Sequence, residues 1–229
     1  GKTDKKDRKP YDITFDKIVV NGLNFKYKNL TVNRDVRGID FADIGVSDLK
    51  VTILDLDTKN HLAKAEIKGL SFREKSGFYL KNLSAKTTID SNKMEFKDLL
   101  LVTPKTIIRD YLVMKFKSFD DFNHFNDRVF MEGHFSKTRV VSTDVAYFDP
   151  ELNKNYIDVK LNGVISGYVK HLQSRNLSIQ SGNSTLLKGN FSVKGLPSLK
   201  NTEFTLNFDR LLTTQNDFDL ILKRITGNE

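Results

Sequence analysis

The chain has no cysteine. A disulfide framework, a thiolate metal site, thioredoxin-like redox chemistry and a cysteine nucleophile are therefore excluded. Tryptophan is also absent, and the acids are dispersed, so a lectin or hydrolase cleft has the least support. No run of about 18 apolar residues exists, and the first residues are charged, without the apolar core of a signal peptide. Gly-rich phosphate loops, a Gly-x-Ser-x-Gly elbow, a Ser-x-x-Lys set in its expected context and His-Glu-x-x-His are all missing. Acids such as Asp55 and Asp57, or Asp120 and Asp121, alternate or adjoin, and no second acid is spaced to sit across a cleft from them. His124, Asp127, Glu132 and His134 could be drawn together as a metal cluster, but nothing in their spacing makes them meet, so ordinary surface histidines are expected. The chain reads as non-enzymatic, with no metal and no cofactor.

What is present points to β structure. The 229 residues suffice for one large β domain or two small ones, and 38% hydrophobic with 29% charged residues is a globular composition, rich in phenylalanine (17). The net charge is +8, yet basic residues recur singly, as at Lys26, Lys28, Lys50, Lys68, Lys81, Lys97 and Lys160; the one cluster along the chain is Lys5-Lys6-Asp7-Arg8-Lys9. Such spacing suits solvated strand faces and edges, with an anionic-lipid or nucleic-acid surface as the alternative; no nucleic-acid partner is expected.

Period-2 alternation dominates. It runs through Leu23 to Lys28, Met94 to Lys97, Tyr156 to Leu161 and Thr202 to Phe208, so each strand has one apolar side and one wet side. A local phrase recurs: an apolar residue, two mostly polar ones, then Leu. It reads Tyr27-Lys28-Asn29-Leu30, Val46-Ser47-Asp48-Leu49, Ile67-Lys68-Gly69-Leu70, Leu80-Lys81-Asn82-Leu83, Phe96-Lys97-Asp98-Leu99, Val169-Lys170-His171-Leu172 and Val193-Lys194-Gly195-Leu196. The third residue is a type that tolerates unusual φ/ψ, so the phrase predicts a bulge or corner that returns the next apolar residue to the same side.

This divides the chain into a repetitive β segment over 12–104, an irregular segment with two short helical turns over 105–155, a second β segment over 156–215 and a terminal helix over 216–229. The aromatic-rich helical turns are expected to plug open ends of the core. The fold predicted is mainly β: an elongated, curled, antiparallel or mixed sheet with short helices in its middle and at its end. Its apolar stripe is either a filled core or a trough left partly open, and periodicity alone does not separate the two.

The phrases Asp40 to Leu49, Ile67 to Leu83, Arg109-Asp110-Tyr111-Leu112, Ser118 to Phe122, Ala146 to Leu152 and Gly189 to Pro197 together resemble the TamB (translocation and assembly module) family, AsmA-like proteins, as it occurs in Bacteroidetes. The resemblance spans roughly residues 12 to 225. It implies an internal or N-proximal segment of an inner-membrane-anchored protein that bridges the periplasm with a long curled sheet. The implied function is movement of phospholipid between inner and outer membranes, together with outer-membrane biogenesis and protein secretion. The implied partners are phospholipid and an outer-membrane β-barrel protein of the Omp85 type. The alternating apolar positions that would line such a groove are Phe25, Ile67, Phe72, Phe78, Leu80, Met94, Phe96, Phe191, Val193, Phe204 and Leu206. A rival reading is a scaffold for outer-membrane β-barrel assembly that works by strand-edge pairing.

Overall fold

The structure, a computed structural model, describes residues 12–30, 38–59, 61–148, 150–153, 156–182, 184–196 and 202–219. Alternating sequences joined by short turns form a meander. Each strand pairs with the one before it, and among the described residues eleven strands lie side by side in chain order. They are β1 (Ile13–Lys28), β2 (Asp43–Lys59), β3 (Leu62–Glu74), β4 (Tyr79–Ile89), β5 (Lys93–Val102), β6 (Ile107–Lys115), β7 (Phe130–Val141), β8 (Asp158–Tyr168), β9 (His171–Ser181), β10 (Thr185–Lys194) and β11 (Glu203–Leu212). Every pairing is antiparallel, so the mixed alternative falls away. The sheet does not close; β1 and β11 are its two edges. The result is a curled, groove-like single sheet.

Turn chemistry sets the register locally. Between β4 and β5, Asp90 accepts the Asn92 N–H at 2.9 Å through its side chain, while its own N–H donates to the Lys93 carbonyl at 2.9 Å. Val169-Lys170 connects β8 to β9 directly. The phrase built on Val169 to Leu172 is therefore a hairpin and not a bulge, and those at Asn29 and Gly195 fall just beyond the ends of β1 and β10. Asn82 shows no left-handed backbone. At Asp48 (φ 52°), Gly69 (φ 64°) and Asp98 (φ 52°) the expected bulge is present.

These bulges belong to a larger feature. Gly22 on β1, Asp48 on β2, Gly69 on β3, Asp98 on β5, Asp110 on β6, Lys137 on β7, Gly163 on β8, Asn176 on β9 and Gly189 on β10 all have positive φ. Each sits where the register with a neighbouring strand shifts. The shifts lie next to one another from strand to strand and form a crease across the sheet. A bulge frees a backbone N–H, and here an adjacent side chain takes it. Asp48 N–H donates to Asn24 Oδ1 (2.8 Å), Gly69 to Ser84 Oγ (3.0 Å), Arg109 to Thr138 Oγ1 (3.1 Å), Lys137 to Asn162 Oδ1 (2.7 Å) and Asn176 to Asn190 Oδ1 (2.9 Å). Asn190→Ala, which strips one such cap from an exposed position, is expected to cost about 1 kcal/mol of stability or less in urea unfolding without changing secondary structure.

The helical turns are short. A 3-10 turn (Phe119–His124) leads into α1 (Phe125–Arg128) between β6 and β7, and α2 (Ser142–Val145) with a 3-10 turn (Pro150–Asn153) links β7 to β8. Both expected helical turns of the 105–155 segment are therefore present, and the strand character expected around Tyr111 to Phe119 and Val129 to Val141 is that of β6 and β7, full members of the sheet. Residues 215–219 are helical and start from Thr214, whose hydroxyl accepts the Asp217 N–H; the expected helix over 220–229 lies outside the described residues. Among the described residues no helix is long and apolar enough to cross a membrane.

Candidate apolar groove

Register places the apolar side chains in cross-strand rows on one face. Ile53, Ile67 and Ala85 make one row, Leu70, Leu83 and Leu101 a second, and Ile89, Met94 and Met114 a third. Toward the other edge lie Leu161, Ile179 and Leu187, then Leu172, Val193 and Phe204. No second layer of secondary structure packs across the middle of this face among the described residues. Most side chains of these rows are half-buried, and the large hydrophobics that stand exposed lie mainly on the edge strands β1 and β11 and in connections.

The two ends are covered by aromatic clusters. At one end Phe116, Phe119, Phe122 and Phe125 pack in a chain, with ring centroids 5.0–6.3 Å apart, and the wholly buried Val129 donates its N–H to the Phe125 carbonyl. At the other, Tyr147 and Phe148 close on Phe78 at 5.7 and 5.2 Å, and Phe78 meets Phe72 at 6.1 Å. The expectation that aromatic helical turns cap the ends of the core matches this packing.

The eleven expected groove positions fall into three sets. Phe25 (43% exposed), Phe204 (45%) and Leu206 (48%) stand open on the edge strands. Ile67, Phe72, Met94, Phe96 and Val193 are half-buried. Phe78, Leu80 and Phe191 are buried, with Phe78 beneath Tyr147 and Phe148, and Phe191 against the Phe208 ring at 5.8 Å. Alternation could not foretell the covering of Phe78, because Tyr147 lies 69 positions further along the chain.

Buried carboxylates on this framework hold backbone. One oxygen of Asp144, Oδ2, accepts from the Thr103 hydroxyl and from the N–H groups of Lys105 (2.8 Å) and Thr106 (2.9 Å). Glu74 accepts from the Gly45 N–H (3.1 Å) and the Ser76 N–H (2.7 Å), and Asp121 from the Lys117 N–H (2.7 Å). Each fastens a turn. Among the described residues no group of three or more metal-ligating side chains converges. Glu132 and His134 do touch at 2.8 Å, while His124 and Asp127 belong to the end cluster between β6 and β7.

On the polar face the Tyr111 hydroxyl donates to Glu95 Oε1 at 2.9 Å. Burial and then the Glu95 carboxylate push the phenol up to about 12. That same hydrogen bond holds the Glu95 carboxyl below its usual range, against the opposing effect of burial and with help from Lys93 and Lys97. The Tyr111 contribution to stability is fully present below pH 10 and is lost as pH rises toward about 12. The Glu95 contribution is present above the ordinary glutamate range and is lost as pH falls through its lowered value. An ultraviolet titration is expected to show one tyrosine ionising near 12, a step that Tyr111→Phe deletes.

The chain matches no family model, no curated protein and no solved structure.

Proposed function

We propose that this chain is a segment of a bridge-like lipid conduit whose apolar sheet face holds phospholipid acyl chains on their way between two membranes. The observation that carries the reading is the apolar face: half-buried rows of Ile, Leu, Met and Phe across a single open sheet, with no second layer of secondary structure over its middle among the described residues. An acyl chain gains about 0.8 kcal/mol for each CH₂ it buries, so such a face can hold a lipid tail without specific polar contacts. The resemblance to the TamB family supports the same reading and adds the periplasm, the inner-membrane anchor and a β-barrel partner in the outer membrane. No residue here is assigned a catalytic role.

Binding of a phospholipid with a fluorescent acyl chain tests it. Phe96→Asp, in the middle of the face, is expected to weaken binding about tenfold, since a carboxylate is costly to desolvate against a lipid tail. Phe204→Asp, already half-exposed on β11, gives the same test with little effect on folding. Unchanged binding in both variants contradicts the conduit. The second reading, pairing with nascent outer-membrane strands, is favoured by β1, a long unpaired edge that exposes Val19, Leu23, Phe25 and Tyr27. Proline on that edge would abolish strand capture and leave lipid binding intact.

A further inference from the structure

The polar face holds a feature that spacing along the chain conceals. Lys137, Arg139, Lys160, Asn162, Ser178, Gln180 and Leu186, from four successive strands, line a pocket of about 370 Å³. Its lining carries three cations, three amide or hydroxyl groups and no carboxylate. Register explains the gathering: Arg139 is directly opposite Lys160, and Asn162 opposite Ser178, which faces Lys188, which faces Arg210.

Like charges set directly opposite on a sheet repel, and elsewhere on this sheet the conflict is relieved by acids. Of the facing pair Lys86 and Lys97, Lys86 has Asp98 at 2.8 Å and Lys97 has Glu95 at 3.7 Å, and Lys93 opposite Lys115 has Glu95 at 3.8 Å. Beside the pocket, Asp158 engages the Arg139 guanidinium with both oxygens, at 2.9 and 2.6 Å, and only adds a longer-range attraction for Lys160. Among the described residues Lys137, Lys160, Lys188 and Arg210 have no ion-pair partner.

Lys137 adds a second, independent sign. It occupies the crease with φ 45°, where the other described left-handed positions of that crease hold Gly, Asp or Asn. A lysine pays a steric penalty there that those residues avoid. Its N–H is fixed by Asn162 Oδ1, which orients that amide so that its NH₂ group remains available to donate.

We propose that this pocket binds a compact phosphate-bearing anion on the face opposite the apolar groove, with Lys137 and Lys160 as its principal charges and Asn162, Ser178 and Gln180 as neutral donors. The site is independent of the lipid-conduit reading, because it uses none of the groove residues. Titration calorimetry with inorganic pyrophosphate, and retention on vesicles of phosphatidylcholine with or without phosphatidylglycerol, test it on the whole chain. The expected result is saturable binding that falls about tenfold in Lys137→Asn/Lys160→Gln and loses strength with salt. A charge-matched control, Lys26→Gln/Lys81→Gln, should leave it unchanged. Lys160→Gln/Lys188→Gln repeats the test without touching the bulge. Pyrophosphate binding alone identifies a soluble phosphorylated ligand, whereas variant-sensitive retention on phosphatidylglycerol vesicles identifies a lipid headgroup. Absence of binding to both probes, or equal loss in pocket and control variants, overturns the site.

Discussion

Phe78→Ala is expected to lower stability by about 3–5 kcal/mol, a fall in Tm of roughly 6–20 °C for a chain of this size. Phe78 is 7% exposed and is the contact through which the β7–β8 connection is seated on the sheet, since Tyr147 and Phe148 both meet its ring edge-on. Removing the ring leaves a cavity that three aromatic neighbours cannot fill. It also releases a connection that holds the start of β2 in place, because the Ile39 N–H donates to the Tyr147 carbonyl at 2.8 Å. Differential scanning calorimetry gives the size of the effect. A loss under about 1 kcal/mol would mean that the end cluster contributes little to the fold.

The second large effect is at Asp144. All three of its hydrogen bonds converge on one oxygen, and the donors form the turn between β5 and β6. Asp144→Ala orphans the Lys105 N–H and leaves the Thr106 N–H and the Thr103 hydroxyl with only their longer bonds to each other's residue, at 3.2 and 3.4 Å, a cost of about 2–3 kcal/mol. Asp144→Asn keeps an acceptor in the same place and loses only the charge, so about 1 kcal/mol is expected. Chemical denaturation of the two variants separates the effects. Equal losses would show that the charge, rather than the acceptor, holds the turn.

The strand periodicity was legible because it is local. Side chains alternate within a strand whatever its neighbours do, so one apolar face and a mainly β architecture could be read from Leu23-Asn24-Phe25-Lys26-Tyr27 and its counterparts, whereas the openness of the sheet could not. Three of the predicted bulges, at Asp48, Gly69 and Asp98, were legible for the same reason: a small or polar residue interrupts the alternation just before a leucine. The rest of the crease was not. Asp110, Lys137, Gly163 and Gly189 lack that leucine; Gly22 and Asn176 do precede one, Leu23 and Leu177, but what unites all six is their adjacency across strands, a property of register rather than of any one segment. At Gly189 the crease is also a close approach, since a Cβ there would lie 2.1 Å from the Asn207 carbonyl oxygen. Only glycine fits. The same non-locality hid the cation pocket, whose lysines lie singly along the chain, and the burial of Phe78 under a distant connection. Phe25, Phe204 and Leu206 stand open for a reason the alternation also omits: their strands have a partner on one side only.

The account turns on whether the apolar face holds lipid. Native mass spectrometry of the purified chain, with extraction and identification of bound lipid, addresses this most directly. The account predicts co-purifying phospholipid that diminishes in Phe96→Asp and Phe204→Asp while the fold persists by circular dichroism. A well-folded, lipid-free chain would contradict it and leave strand-edge pairing as the reading to pursue.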